Sequence, residues 1–174
     1  MDLKIFQSSP GHTGSTLLLN LIHGFLSPNE KVHMEEEISK YLITKTHNTN
    51  IEMLEKRFPQ YKIFFIMSER NDDKVKKLIN NNYRKYTNVL IFNYNELLET
   101  DKNDLNNIIN NAFNKFMNFI PKELIPEKSS DLIKEDMKKR IIRVNETVIQ
   151  MKDMSFEIWD NFTGIHGGHR NRKG

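Results

Sequence analysis

No cysteine occurs among the 174 residues, which excludes a disulfide framework and any cysteine-ligated metal. No apolar run approaches the ~18 residues that a membrane-crossing helix needs, and the charged start does not read as a secretory signal. The expectation is a cytoplasmic protein without a membrane partner. A dominant charge is lacking too. Twenty-six Lys and Arg stand against 23 Asp and Glu, leaving +3. That is too little, and too evenly mixed, for general nucleic-acid binding, although a few focused cations suffice for one nucleotide. No internal repeat is visible. What is present, 37% apolar residues, is enough for one domain over residues 1–174, with 164–174 a glycine-rich basic tail.

The chain is organised around residues 8–16, Ser-Ser-Pro-Gly-His-Thr-Gly-Ser-Thr. Before them, Leu3 to Gln7 reads as a short buried strand. After them, Leu17 to Phe25 carries apolar residues at helical spacing. Strand, glycine-containing turn and helix together make the setting in which a loop wraps a phosphate or sulfate. Backbone N–H groups at the helix start point at the anion and the helix dipole favours its charge. Gly11 and Gly14 allow close backbone approach, and Thr13, Ser15 and Thr16 add hydroxyl donors. Set against a Walker A loop, Ser15 stands where the phosphate-reaching lysine would be and Ser9 where the first glycine would be. An ordinary ATP or GTP hydrolase is therefore disfavoured.

Further strands are expected at Tyr41–Thr44, at Tyr61–Met67 (the clearest) and at Thr87–Phe92. Helices are expected at Asn50–Arg57, after Asp72, where Lys74, Lys76 and Lys77 follow, at Leu105–Phe119 and at Asp131–Met154, the last with Leu132, Ile141, Val144 and Val148 inward. Glu35-Glu36-Glu37 reads as a solvated helical patch, and Trp159 and Phe162 as docking the final segment. Alternating strands and helices predict an α/β fold: a three-layer sandwich around a central parallel sheet of four to five strands. Ligands of such sheets bind at the carboxyl ends of the strands. Lys45 and His47 fall at one such end, and their i, i+2 spacing sends both to one side. In the tail, His166 and His169 make a weak metal pair, and the basic residues suit a phosphate clamp.

Gly11-His12-Thr13-Gly14-Ser15-Thr16-Leu17-Leu18 resembles the 5′-phosphosulfate loop of sulfotransferases that use 3′-phosphoadenosine-5′-phosphosulfate (PAPS). Three other segments are similar to that family's, in the same order. They are Lys45-Thr46-His47, the strand Phe64 to Ser68 leading to Arg70-Asn71, and Arg172-Lys173-Gly174 at the end. The resemblance implies that His47 is the catalytic base, that Lys45 steadies the sulfuryl group, and that Arg70, Arg172, Lys173 and Gly174 bind the 3′-phosphate. Residues 11–16 would hold the 5′ end, and no metal is required. The chain departs from the family pattern at His12, where a lysine or arginine is usual, at Leu17, where a tryptophan is often found, at Asp72, where proline is usual, and at Leu78, where serine is usual. With histidine in the loop, leaving-group stabilisation needs a protonated or donating ring, which makes activity pH-sensitive. Asn93 to Leu98 resembles a family segment that is mainly structural. A P-loop nucleotide or nucleoside kinase and a non-catalytic nucleotide-binding module are the rival readings. The kinase needs a lysine near the loop and an acidic magnesium ligand at a strand end, and neither is obvious in the sequence.

Overall fold

The computed structural model describes residues 1–70, 86–151 and 159–166. Four strands build the central sheet: β1 (Asp2–Ser8), β2 (Ile43–Thr46), β3 (Tyr61–Glu69) and β4 (Val89–Asn93). They lie in the order β2-β1-β3-β4 and every pairing is parallel. The registers Gln7↔Lys45 and Ser8↔Thr46 carry β2 past the apolar run that announces it. Lys45 and Thr46 are thereby buried inside the strand.

Alternation along each strand sends side chains to two faces. Ile5, Ile66 and Phe92 join the larger core, shared with α1 (Ser15–Leu26), and with two helices introduced next. Phe6, Ile63, Phe65 and Met67 join a second core on the other face, against Ile51 and Leu54 of α2 (Ile51–Arg57). The remaining described helices are α3 (Tyr94–Leu97), α4 (Leu105–Phe119) and α5 (Ser130–Gln150). α4 and α5 cover the larger core beside α1. The α/β fold with a parallel sheet between helical layers agrees with the sequence expectation.

Several local readings are corrected. Glu35–Glu37 is a single 3₁₀ turn, and Glu35 is drawn inward by the Thr46 hydroxyl and by Arg57 rather than left to solvent. On α5 the buried stripe is Ile133, Met137, Ile141 and Val144, while Leu132 is 53% exposed. The first residues of the segment read as tail take part in a hairpin. Ile165–His166 is a short strand, β6, paired antiparallel with β5 (Trp159–Asp160). The basic helix expected after Asp72 lies outside the described residues.

Helix α1 crosses α5 closely at Gly24. A Cβ there would lie 2.5 Å from the Met137 Cα, so α1 and α5 touch backbone to backbone. Gly24→Ala forces the helices apart and is expected to cost about 1–3 kcal/mol, as other overpacked cores do. Urea unfolding measures it, and a neutral result would refute the tight crossing.

Candidate functional site

In the order β2-β1-β3-β4 the connections leave β1 and β3 in opposite directions, so the crevice between their carboxyl ends is the sheet's switch point. Residues 9–14 turn there. Their framework is a buried hydroxyl cluster. Ser9 Oγ accepts from Gln7 Nε2 at 2.6 Å and from the Ser68 amide at 2.8 Å. Thr13 Oγ1 donates to the Pro10 carbonyl at 2.8 Å and lies 2.8 Å from Ser68 Oγ. The Thr13 hydroxyl is thus turned into the protein and ties the loop to β3.

Gly14 is the N-cap of α1, with φ +79°. A Cβ there would also press on Leu97 and on the Tyr94 ring at 3.2 Å, so the positive φ favours glycine and the space around it is already tight. A glycine cap brings no side-chain oxygen. By contrast, α2, α3, α4 and α5 are each capped by a side chain, from Asn50, Asn93, Asp104 and Ser129. The opening amides of α1 have no intrahelical acceptor and no side-chain cap. His12 holds φ +66°, the one positive φ outside glycine among the described residues. Such strain persists where the surroundings impose it, commonly at ligand sites.

β2 delivers Lys45 and His47 to this loop. Lys45, 5% exposed, reaches Thr16 Oγ1 with Nζ at 3.3 Å. A lysine therefore stands at the helix start, supplied by the neighbouring strand rather than by the loop. His47 Nδ1 is 3.1 Å from the Ser9 carbonyl. A carbonyl only accepts, so this bond puts the proton on Nδ1 and leaves Nε2 as the basic nitrogen. A cleft of about 320 Å³ gathers Gly11, His12, Ser15, Thr16, Lys45 and His47 along its walls.

Arg70 follows β3 at the same sheet edge, on the β4 side. Its guanidinium lies 4.5 Å over the Tyr94 ring, the same ring that packs against Gly14. The Arg70 Nε is buried without a hydrogen-bond partner among the described residues. Beside Tyr94, an apolar cavity of about 260 Å³ is lined by Leu17, Leu97, Leu105, Ile108 and Ile141 and also reaches Gly14. Arg70 is not part of the 320 Å³ cleft. Gly14 lines the apolar cavity, and its neighbour Ser15 lines the cleft. Arg172, Lys173 and Gly174 lie outside the described residues, as do His169, Asp72 and Leu78.

Two groups at the site were not placed there by the sequence. Trp159, Met34 and His166 complete the cleft. Two-residue strands carry no periodic signal, so the hairpin that brings Trp159 and His166 there is invisible in the pattern. The second group is the buried network that fixes this hairpin. Asn20 Nδ2 donates to the Thr16 and Thr163 carbonyls, both at 2.8 Å, and its Oδ1 accepts from Arg140 Nε at 2.9 Å. Arg140, 2% exposed, also donates to the carbonyls of Pro28, Glu30 and Phe162. A signal for it existed: Arg140 falls three residues after Met137 and four before Val144, inside the apolar stripe.

Among the described residues no group of three or more His, Asp or Glu is arranged to hold a metal ion, and no helix is long and apolar enough to cross a membrane. Compared with known proteins, the chain matches no family model, no curated protein and no solved structure.

Proposed function

We propose that this chain is a PAPS-dependent sulfotransferase that moves a sulfuryl group to an acceptor hydroxyl or amine. The observation that carries the reading is the meeting of the glycine-capped start of α1 with Lys45 and His47 in one cleft. Anion-accepting amides, an ammonium and an oriented base are what such a transfer asks of a protein. PAPS, when bound, supplies the sulfuryl group and a phosphate leaving group. The loop amides, Ser15 and Thr16 hold its 5′ end, and Lys45 steadies the charge on the transferring group. His47 Nε2 takes the acceptor proton as the acceptor oxygen or nitrogen bonds to sulfur and the bridging S–O bond breaks toward the phosphate. His12 donates to the leaving oxygen in place of a lysine. Arg70, stacked on the Tyr94 ring that packs against Gly14, takes the 3′-phosphate, and the apolar cavity beside Tyr94 gives room for the base.

One observation favours a second reading. A lysine does reach the loop, and Glu69, 5% exposed, ends β3 next to β1. A lysine and a strand-end carboxylate are parts of magnesium-dependent phosphoryl transfer. Glu69 does not line the cleft with Lys45, so sulfuryl transfer is preferred.

Two substitutions test the roles. Arg70→Ala is expected to weaken binding of 3′,5′-diphosphoadenosine (PAP) about tenfold, the loss of one charge-assisted contact. His47→Ala is expected to spare PAP binding and abolish transfer from PAPS. Transfer that survives His47→Ala removes the base assignment.

A further inference from the structure

The cleft has a wall that the transfer chemistry leaves unused. Trp159 leaves 41% of its surface open although it belongs to an ordered hairpin. Its indole is stacked on the His166 ring, with centroids 5.9 Å apart and planes within 8°. Gly164, at φ +72°, turns the chain between the two. Holding a large aromatic residue half open, beside a base and an ammonium, has a cost in exposed apolar surface. The cost is sustained by a dedicated anchor. Thr163 Oγ1 donates to Asp160 at 2.5 Å, its carbonyl accepts from Asn20, and Arg140 holds the Phe162 carbonyl at 2.6 Å. The wall is therefore tied to α1, the helix whose start carries the proposed anion site.

The chemistry of the lining selects among acceptors. Met34 and Trp159 offer apolar and aromatic surface, and the polar members are three histidines, one lysine and two hydroxyls. Among the described residues no carboxylate or carboxamide lines the cleft. A sugar brings several hydroxyls, each of which needs a partner once buried. An aromatic alcohol brings one, and its ring face suits an indole. We propose that Trp159, backed by His166, is the ring-binding wall of the acceptor site and that the acceptor is an aromatic hydroxyl compound. The inference rests on the sulfotransferase reading for the fate of that hydroxyl, which His47 deprotonates, but the ring-binding wall is testable alone.

The whole chain is titrated calorimetrically with 2-naphthol, with cyclohexanol and with methyl glucoside, each with and without saturating PAP. Trp159 is the sole tryptophan, so its emission reports contact directly. The expected result is saturable 2-naphthol binding, about three- to tenfold tighter than cyclohexanol, a change in Trp159 emission, and binding that persists beside PAP. Trp159→Leu, a substitution at an exposed position, should erase the aromatic preference and leave PAP affinity unchanged. Equal affinity for cyclohexanol, tighter binding of the glucoside, or displacement of 2-naphthol by PAP overturns the proposal. Absence of PAP binding instead sinks the transfer reading, and the naphthol comparison without PAP still decides the wall.

Discussion

Arg140→Met is expected to lower the unfolding free energy by about 3–5 kcal/mol, a large share of a typical domain's stability. The side chain is 2% exposed and its guanidinium serves four acceptors: Asn20 Oδ1 and the carbonyls of Pro28, Glu30 and Phe162. It also stacks on Phe162, 4.1 Å from the ring centre. Burial, and then the neighbouring Arg143, pull its pKa down to about 10, so the group is still charged at neutral pH. Methionine fills much of the volume and strands the acceptors, each of which then carries its desolvation cost. Arg140→Lys keeps charge but not the planar fork that reaches four oxygens, and should recover only part of the loss. Because the fork joins α1 and α5 to the β5–β6 hairpin, Trp159 emission should shift in native buffer in both variants. Denaturant unfolding gives the magnitude. A loss below about 1 kcal/mol would mean that the network is incidental.

The second large effect is acid sensitivity through His23. The ring is fully buried on α1, and neither nitrogen makes a hydrogen bond of normal geometry among the described residues. Burial chiefly, then the charges of Arg140 and His33, lower its pKa from 6.5 to about 3, with the Ser27 backbone offsetting a little. The unfolded chain binds a proton near pH 6.5, and the folded chain does so only near pH 3. Between those values the unfolded state holds more protons. Stability is therefore complete above pH 6.5 and falls as pH drops through that window, by at most about 1.4 kcal/mol per pH unit from this residue. Carboxylates contribute their own losses at the lower end. His23→Leu should flatten the slope between pH 6.5 and 5, where carboxylates remain ionised, and should not reduce stability at pH 7. An unchanged slope in that interval would show that His23 is protonated in the fold.

The fold was legible where periodicity is strong. The double-sided apolar run at Tyr61–Met67 and the helical stripe of Leu105–Phe119 mark β3 and α4, because burial on two faces or on one stripe leaves a pattern in composition. The loop was legible because Gly14 answers a local need, positive φ against Tyr94 and Leu97. Lys45 and His47 followed from their place at a strand end. What composition conceals is partnership between distant segments. Thr13 reads as a ligand donor, yet it bonds Ser68, fifty-five residues away. Arg140 reads as one more charge on a helix of mixed charge, and its four acceptors come from three separate segments. Trp159 and His166 stand on strands too short to announce themselves.

The central claim is that the switch point between β1 and β3 binds a nucleotide charged at both its 5′ and 3′ ends. Calorimetric titration of the whole chain with PAP and with ATP, each with magnesium and with chelator, tests it most directly. Saturable PAP binding that is indifferent to magnesium and tighter than ATP is the predicted result. Binding of ATP alone, and only with magnesium, or of neither nucleotide, would contradict it.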